Sequence, residues 1–220
     1  LSDFAGLSMV KFFLTWLLSI GPFAILILFQ PEMRRALEYL GRNKLISKSF
    51  MSADNTLLSQ AIEEVIIATD NLSQKKTGAL IVFEGETGLQ DIIETGTLVD
   101  AKIKSSLVEN IFVPNAPLHD GAMVVRQDRM IAAGCLLPLS NDRSVARELG
   151  TRHRAALGMS ANSDALILVV SEETGVISIA QNNELDRFLN LEQVRLRLEK
   201  FLTKEEVGLS KLLKGESQDA

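Results

Sequence analysis

Apolar residues form one continuous run near the start of the chain and then recur in short bursts. From Met9 to Phe29 the only charge is Lys11. A helix rises about 1.5 Å per residue, so this run is long enough for the ~30 Å core of a bilayer. Gly21-Pro22 would kink it or separate two hydrophobic pieces. A buried core helix is the competing reading. Just beyond the run, Arg34, Arg35, Arg42, Lys44 and Lys48 outnumber Glu32 and Glu38. That bias sets the following segment on the cytoplasmic side, at the cell membrane. Residues 1–30 are therefore expected to hold a transmembrane segment, with further membrane helices upstream of Leu1. Residues 31–50 are expected as an amphipathic linker helix opened by Pro31.

Residues 51–205 read as one α/β domain. Leu57, Leu58, Ala61, Val65, Ile66 and Ala68 recur at helical spacing and predict a helix over 57–72. Gly78 to Glu84 is a short apolar run closed by a Gly-rich turn, the pattern of a buried strand. A short helix is expected over 105–112. Two strands, 121–126 and 129–137, are joined by Gln127-Asp128. A helix is expected over 144–159 with a break at Gly150, a second strand pair over 165–170 and 175–180, and a last helix over 191–202. Residues 206–220 are polar and expected to be disordered. Strand pairs mixed with helices predict a mixed central β-sheet flanked by helices, preceded by the transmembrane segment.

Composition narrows the classes. The chain has 220 residues, 46% of them hydrophobic and 23% charged, which suits one packed domain and excludes a disordered chain. Cys135 is the only cysteine, so no disulfide framework exists. Net charge is −5, which gives no global basic field for nucleic acid. No P-loop, dinucleotide fingerprint or nucleophile elbow is present. His119 and His153 are the only histidines, so a three-histidine zinc site is impossible.

Three segments carry candidate chemistry. In Pro114 to Val125, a Pro-rich loop delivers His119 and Asp120 to the start of a strand. Gly121 and Ala122 are small enough for a ligand to approach the backbone. Asp120 could bind a divalent cation or accept a hydroxyl proton; a simple turn aspartate is the alternative. In Gly150-Thr151-Arg152-His153-Arg154, a helix start and two guanidinium groups suit an anion. Adjacent helix residues point ~100° apart, so Arg152 and Arg154 cannot both face one ligand. Solvated charges on a capped helix are the alternative. Ser171-Glu172-Glu173-Thr174 is a turn with a hydroxyl and two carboxylates, read by itself as a surface hairpin.

Asp120-Gly121-Ala122 together with Arg152-His153-Arg154 resembles the DGA and RHR pair of the DisA_N-type diadenylate cyclases. Leu118-His119-Asp120-Gly121-Ala122, Leu137-Pro138-Leu139-Ser140, Gly150 to Gly158 and Val170 to Gly175 match in order and spacing. Phe29 to Arg35 resembles the end of the membrane region in the membrane-bound subgroup, the CdaA type. The resemblance implies condensation of two ATP into cyclic di-AMP with release of two pyrophosphates, across a face-to-face homodimer. It implies Asp120, Arg152, His153 and Arg154 in catalysis. Gly121, Ala122, Leu136, Leu137, Thr151, Arg152 and Ser171 would bind ATP. His119, Asp120 and, more weakly, Glu173 would hold Mn²⁺ or Mg²⁺; a His ligand favours Mn²⁺, with Co²⁺ also suited. It further implies a YbbR-type regulator and a phosphoglucosamine mutase as partners. Many membrane-type relatives carry tyrosine where this chain has Leu136, so adenine would lose an aromatic face there. A membrane-anchored nucleotide sensor or scaffold without turnover is the rival reading.

Overall fold

A computed structural model describes residues 9–16, 18, 30, 51–140 and 150–202. The chain divides into two units, Leu1–Met51 and Ser52–Ala220. In the first, residues 9–16 are helical, and Phe13 and Trp16 stack with ring centroids 6.3 Å apart. Among the described residues no helix is long and apolar enough to cross a membrane. Most of the Met9–Phe29 run, the linker over 31–50 and the tail over 206–220 lie outside the described residues.

The second unit is a seven-stranded mixed sheet. Helix α1 (Met51–Gln74) leads into β1 (Ala79–Phe83), α2 (Gln90–Ile93), β2 (Thr97–Lys102), α3 (Ser105–Ile111), β3 (Ala122–Arg126) and β4 (Arg129–Cys135). Helix α4 (Thr151–Asn162), β5 (Leu166–Val170), β6 (Ile177–Gln181) and β7 (Glu184–Arg187) follow, and residues 191–202 form α5. The strand order is β2-β4-β3-β1-β5-β6-β7. Only β1 and β3 pair in parallel; every other neighbour is antiparallel.

Strand alternation sorts the core into two layers. Ala79, Ile81 and Phe83 of β1, with Leu166, Leu168 and Val170 of β5, face α1, α3 and α5. Leu80 and Val82, with Ile167 and Val169, face α4 and α2. A strand buried on both faces has no polar alternation, which is why β1 and β5 read as unbroken apolar runs. Helix α1 contributes Leu58, Ala61, Ile62, Val65, Ile66 and Leu72, one stripe at helical spacing.

The sequence-based outline missed three elements. β2 and β7 are polar edge strands. β2 is interrupted at Asp100, whose φ is +43°, so its pattern never alternates cleanly. β7 begins after Asn182-Asn183, both at positive φ, a tight-turn signature that could have revealed it. α2 is only one turn long.

Helix α4 lies tightly on the segment after β4. A Cβ on Gly158 would stand 2.2 Å from the Pro138 carbonyl oxygen and 2.7 Å from the Ser140 nitrogen. Ser140 N–H in turn donates to the Arg154 carbonyl at 3.0 Å. Gly158→Ala must push these backbones apart, a clash with no flexible side chain to relieve it. We expect a loss of about 1–3 kcal/mol, the usual range for overpacking. Urea denaturation should show a lowered midpoint at unchanged slope.

Candidate active site

The register gathers one set of termini at one end of the sheet. Ala79 opens β1 opposite Val170, which closes β5. Ala122 opens β3 opposite Cys135, which closes β4. Ile177 opens β6 beside Val170. The Asp120-Gly121 corner, the Leu136–Ser140 segment and the Ser171–Gly175 turn therefore emerge at the same end. The N-terminus of α4 reaches that end too, because Arg152 makes contact with two of these loops.

Arg152 joins three motifs that lie far apart in the sequence. Its Nη1 donates to Glu172 Oε2 at 2.5 Å, and its Nη2 approaches the His119 carbonyl at 3.5 Å. Its guanidinium covers Gly78, where a Cβ would meet Nη1 at 2.6 Å. Glu172 and Gly78 had no assigned role in the sequence reading. The pairing of an exposed glutamate with an arginine twenty residues away depends on the fold and left no local signal.

The first turn of α4 is built for an anion. Gly150 is its N-cap and offers no side-chain cap, and no acidic residue lies in the turn. N–H groups without an intrahelical partner and the Arg152 guanidinium thus lie at the positive end of the helix. Thr151 is exposed, as a ligand contact requires. Arg154 turns away, with Nη2 near the Ser140 carbonyl at 3.5 Å. The two arginines diverge, as helix geometry demands. His153 is buried at 5% exposure. Burial first, and the Arg187 charge second, hold its imidazole below the ordinary histidine range.

The Asp120 corner exists because glycine stands at 121. Gly121 has φ +127°, and a Cβ there would lie 2.7 Å from the Gly134 carbonyl carbon. No other residue fits this backbone. Asp120 is exposed and His119 half-buried. His119 Nδ1 lies 2.6 Å from the Ala116 carbonyl oxygen. A carbonyl only accepts, so Nδ1 is the donor, and in the neutral ring Nε2 then has the lone pair. That is the usual arrangement of a metal-ligating histidine oriented by its second nitrogen.

The remaining predicted residues sit nearby with different characters. Ser171 Oγ accepts from Thr174 N–H at 3.3 Å, which leaves its hydroxyl proton free to donate. Glu173 is exposed on the same turn. Leu136 is 67% exposed, with its N–H bonded to Thr95 Oγ1 at 2.9 Å. Leu137 packs on the α4-side core, and the Ala122 methyl is buried in it, so Ala122 offers a ligand backbone rather than side chain. Among the described residues no group of three or more His, Cys, Asp or Glu side chains could hold a metal. His119 Nε2 and Asp120 are the two donors that this loop offers a divalent ion. Burial pushes the Cys135 thiol up to about 11, so it is no nucleophile.

Fold and loops together define a mixed α/β domain whose chemistry-bearing loops gather at one end of its sheet. Residues 66–185 match the family described as DAC, DisA bacterial checkpoint controller nucleotide-binding. The chain is 43% identical over 198 residues to "Cyclic di-AMP synthase CdaA" of Bacillus subtilis, covering 90% of this chain and 72% of that one. It is 44% identical over 212 residues to "Diadenylate cyclase" of Listeria monocytogenes, covering 96% and 75%. Among solved structures, a double mutant of DacA from Staphylococcus aureus aligns with TM-score 0.64 at 45% identity, over 65% of this chain and 95% of that one. A "hypothetical membrane spanning protein" from Bacillus cereus aligns with TM-score 0.56 at 34% identity, over 86% and 94%. The chain belongs to the diadenylate cyclase (DAC) domain family.

Proposed function

We propose that this protein condenses two ATP into one cyclic di-AMP and releases two pyrophosphates. The observation that carries the reading is Arg152. From the first turn of α4 it contacts the His119–Asp120 loop and the Ser171–Gly175 turn, which supports one shared anion site there. The relatives named cyclic di-AMP synthase and diadenylate cyclase support the same chemistry.

The residues suggest a division of labour. Thr151, Arg152 and the N–H groups of α4 would grip phosphate oxygens, with the Ser171 hydroxyl donating from the other side. Asp120 would take the proton of a ribose 3′-hydroxyl as its oxygen forms a bond to the α-phosphorus of the second ATP. The bond from that phosphorus to the bridging oxygen breaks, and pyrophosphate leaves. The same exchange in the opposite direction closes the ring. His119 Nε2 and one oxygen of Asp120 would hold a divalent ion, with Glu173 as a further candidate. Mn²⁺, Mg²⁺ or Co²⁺ bound there would neutralise phosphate charge. Most of the rate enhancement then rests on positioning and charge stabilisation.

One domain holding one ATP cannot close the ring. The active unit is therefore a face-to-face homodimer that presents two such sheet ends to each other. The Met9–Phe29 run, with its basic flank, would anchor the pair at the cell membrane with the catalytic domain on the cytoplasmic side. The likeness to a protein titled membrane-spanning supports this. A YbbR-type regulator and a phosphoglucosamine mutase are the partners that the resemblance implies.

A substrate lacking the nucleophile tests the reading. ATP with Mn²⁺ should release pyrophosphate, while 3′-deoxy-ATP should raise Tm and release none. Pyrophosphate from 3′-deoxy-ATP would mean hydrolysis rather than cyclisation. The base contact gives a second expectation. Leu136 is exposed at the site, so Leu136→Tyr adds a stacking face. Base–aromatic stacking contributes about 1–3 kcal/mol, so titration calorimetry should show ATP bound at least about fivefold tighter.

A further inference from the structure

Among the described residues, five side-chain atoms are buried without a hydrogen-bond partner: Arg152 Nε, His153 Nε2, Arg154 Nε, Ser178 Oγ and Arg187 Nε. Three belong to the first turn of α4, whose anion site is described above. Ser178 and Arg187 have no part in it so far. Ser178 on β6 and Arg187 on β7 are directly paired across the sheet, so both side chains leave from one face. That face is the one covered by α4. Ser178 also pairs with Val169, and Val169 and Ala180 pack in the α4-side core. The pair lies next to Ile177, at the same sheet end as Ser171. Ser178 is fully buried and His153 nearly so. Arg187 is fixed from outside by Phe188, whose ring lies 5.0 Å beneath its guanidinium at a φ of +61°.

Unpaired polar atoms are rare in cores, and each occurrence calls for a reason. Helix α4 lies over β6 and β7, and the Arg187 charge acts on His153, so a guanidinium that can only donate, a hydroxyl and an imidazole face the same layer between helix and sheet. A guanidinium cannot accept a proton, so the imidazole state that suits it is the neutral one, with a free lone pair. Arg152 and His153 are adjacent in the helix and point ~100° apart. Fixing the His153 ring inward therefore fixes the rotation of the first turn and sends Arg152 toward Glu172 and the ligand.

We propose that Arg187 and Ser178 are positioning residues for the reaction, walling in the His153 ring beneath α4 by packing rather than by hydrogen bonds, so that Arg152 meets the phosphates at a set angle. This rests on the cyclase reading. The full chain would be assayed with ATP and Mn²⁺ as wild type, Arg187→Met, Arg187→Lys and Ser178→Ala. Arg187→Met should lower kcat about tenfold with KM for ATP changed less than threefold. Arg187→Lys, which keeps a cationic donor, should recover part of that loss. Ser178→Ala should lower kcat about threefold without lowering Tm, because the hydroxyl it removes makes no hydrogen bond in the resting fold. A kcat loss with Tm held is a result that a merely structural role would not give. Both Arg187→Met and Ser178→Ala within twofold of wild-type kcat would overturn the proposal. So would kcat losses that match the folded fraction by circular dichroism at the assay temperature. If wild type is active and the variants are unchanged, the positioning role alone fails. If wild type yields no cyclic di-AMP, the cyclase reading fails and takes this proposal with it.

Discussion

Asp120→Asn should abolish cyclic di-AMP formation, with initial rates at least about 10²-fold below wild type. A positioned general base contributes about 10²–10⁴-fold, and any contact to a metal ion would be weakened in the same substitution. Asparagine is nearly isosteric, and the corner it occupies is shaped by Gly121 at φ +127° rather than by the carboxylate. Asp120 is exposed, so its removal opens no cavity. The thermal midpoint should stay within a few degrees, and chromatographic quantification of product with circular dichroism on the same sample checks both halves. More than a tenth of wild-type activity in a folded sample would remove Asp120 from the proton-accepting role.

Arg152→Ala should lower kcat/KM for ATP by about 10²–10³, the range seen when one preorganised donor to developing negative charge is deleted. The substitution removes the group that ties the His119 loop to the Glu172 turn. Its cost to stability should be small. The Glu172 partner is 64% exposed, and such exposed pairs contribute roughly 0–1 kcal/mol. Arg152→Lys should rescue poorly, because a point charge cannot serve Glu172, the His119 carbonyl and a phosphate at once. Steady-state kinetics against ATP, with a melting curve for each variant, checks this. A kcat/KM within threefold of wild type in the alanine variant would contradict it.

Much of the fold was legible because burial on both faces leaves a plain mark. Ala79–Phe83 and Leu166–Val170 carry no polar residue at all, and no surface strand reads that way. The edges were not legible for the opposite reason. β2 and β7 carry Asp100, Lys102, Glu184 and Asp186 in short, irregular strands whose identity comes from their neighbours. The site was legible as motifs but not as geometry. Asp120-Gly121-Ala122 and Arg152-His153-Arg154 stood out by composition. The link between them, Arg152 against the His119 carbonyl with Glu172 and Gly78 alongside, depends on strand order and left no local trace. His153 is an intermediate case. It shares a helical face with Ala156 and Ser160, both buried, so its spacing already pointed inward. Its motif, with an arginine on each side, pointed toward a ligand.

If this sheet end joins two ATP molecules into a ring, the product itself must show it. The most direct measurement is mass-spectrometric identification of the product after full-length protein is incubated with ATP and Mn²⁺, with Mg²⁺ and Co²⁺ in parallel and pyrophosphate quantified. The expected products are cyclic di-AMP and two pyrophosphates for each molecule of it, with no product from the Asp120→Asn protein. A folded, ATP-binding, dimeric sample that forms no cyclic di-AMP with any of the three metals would contradict that chemistry.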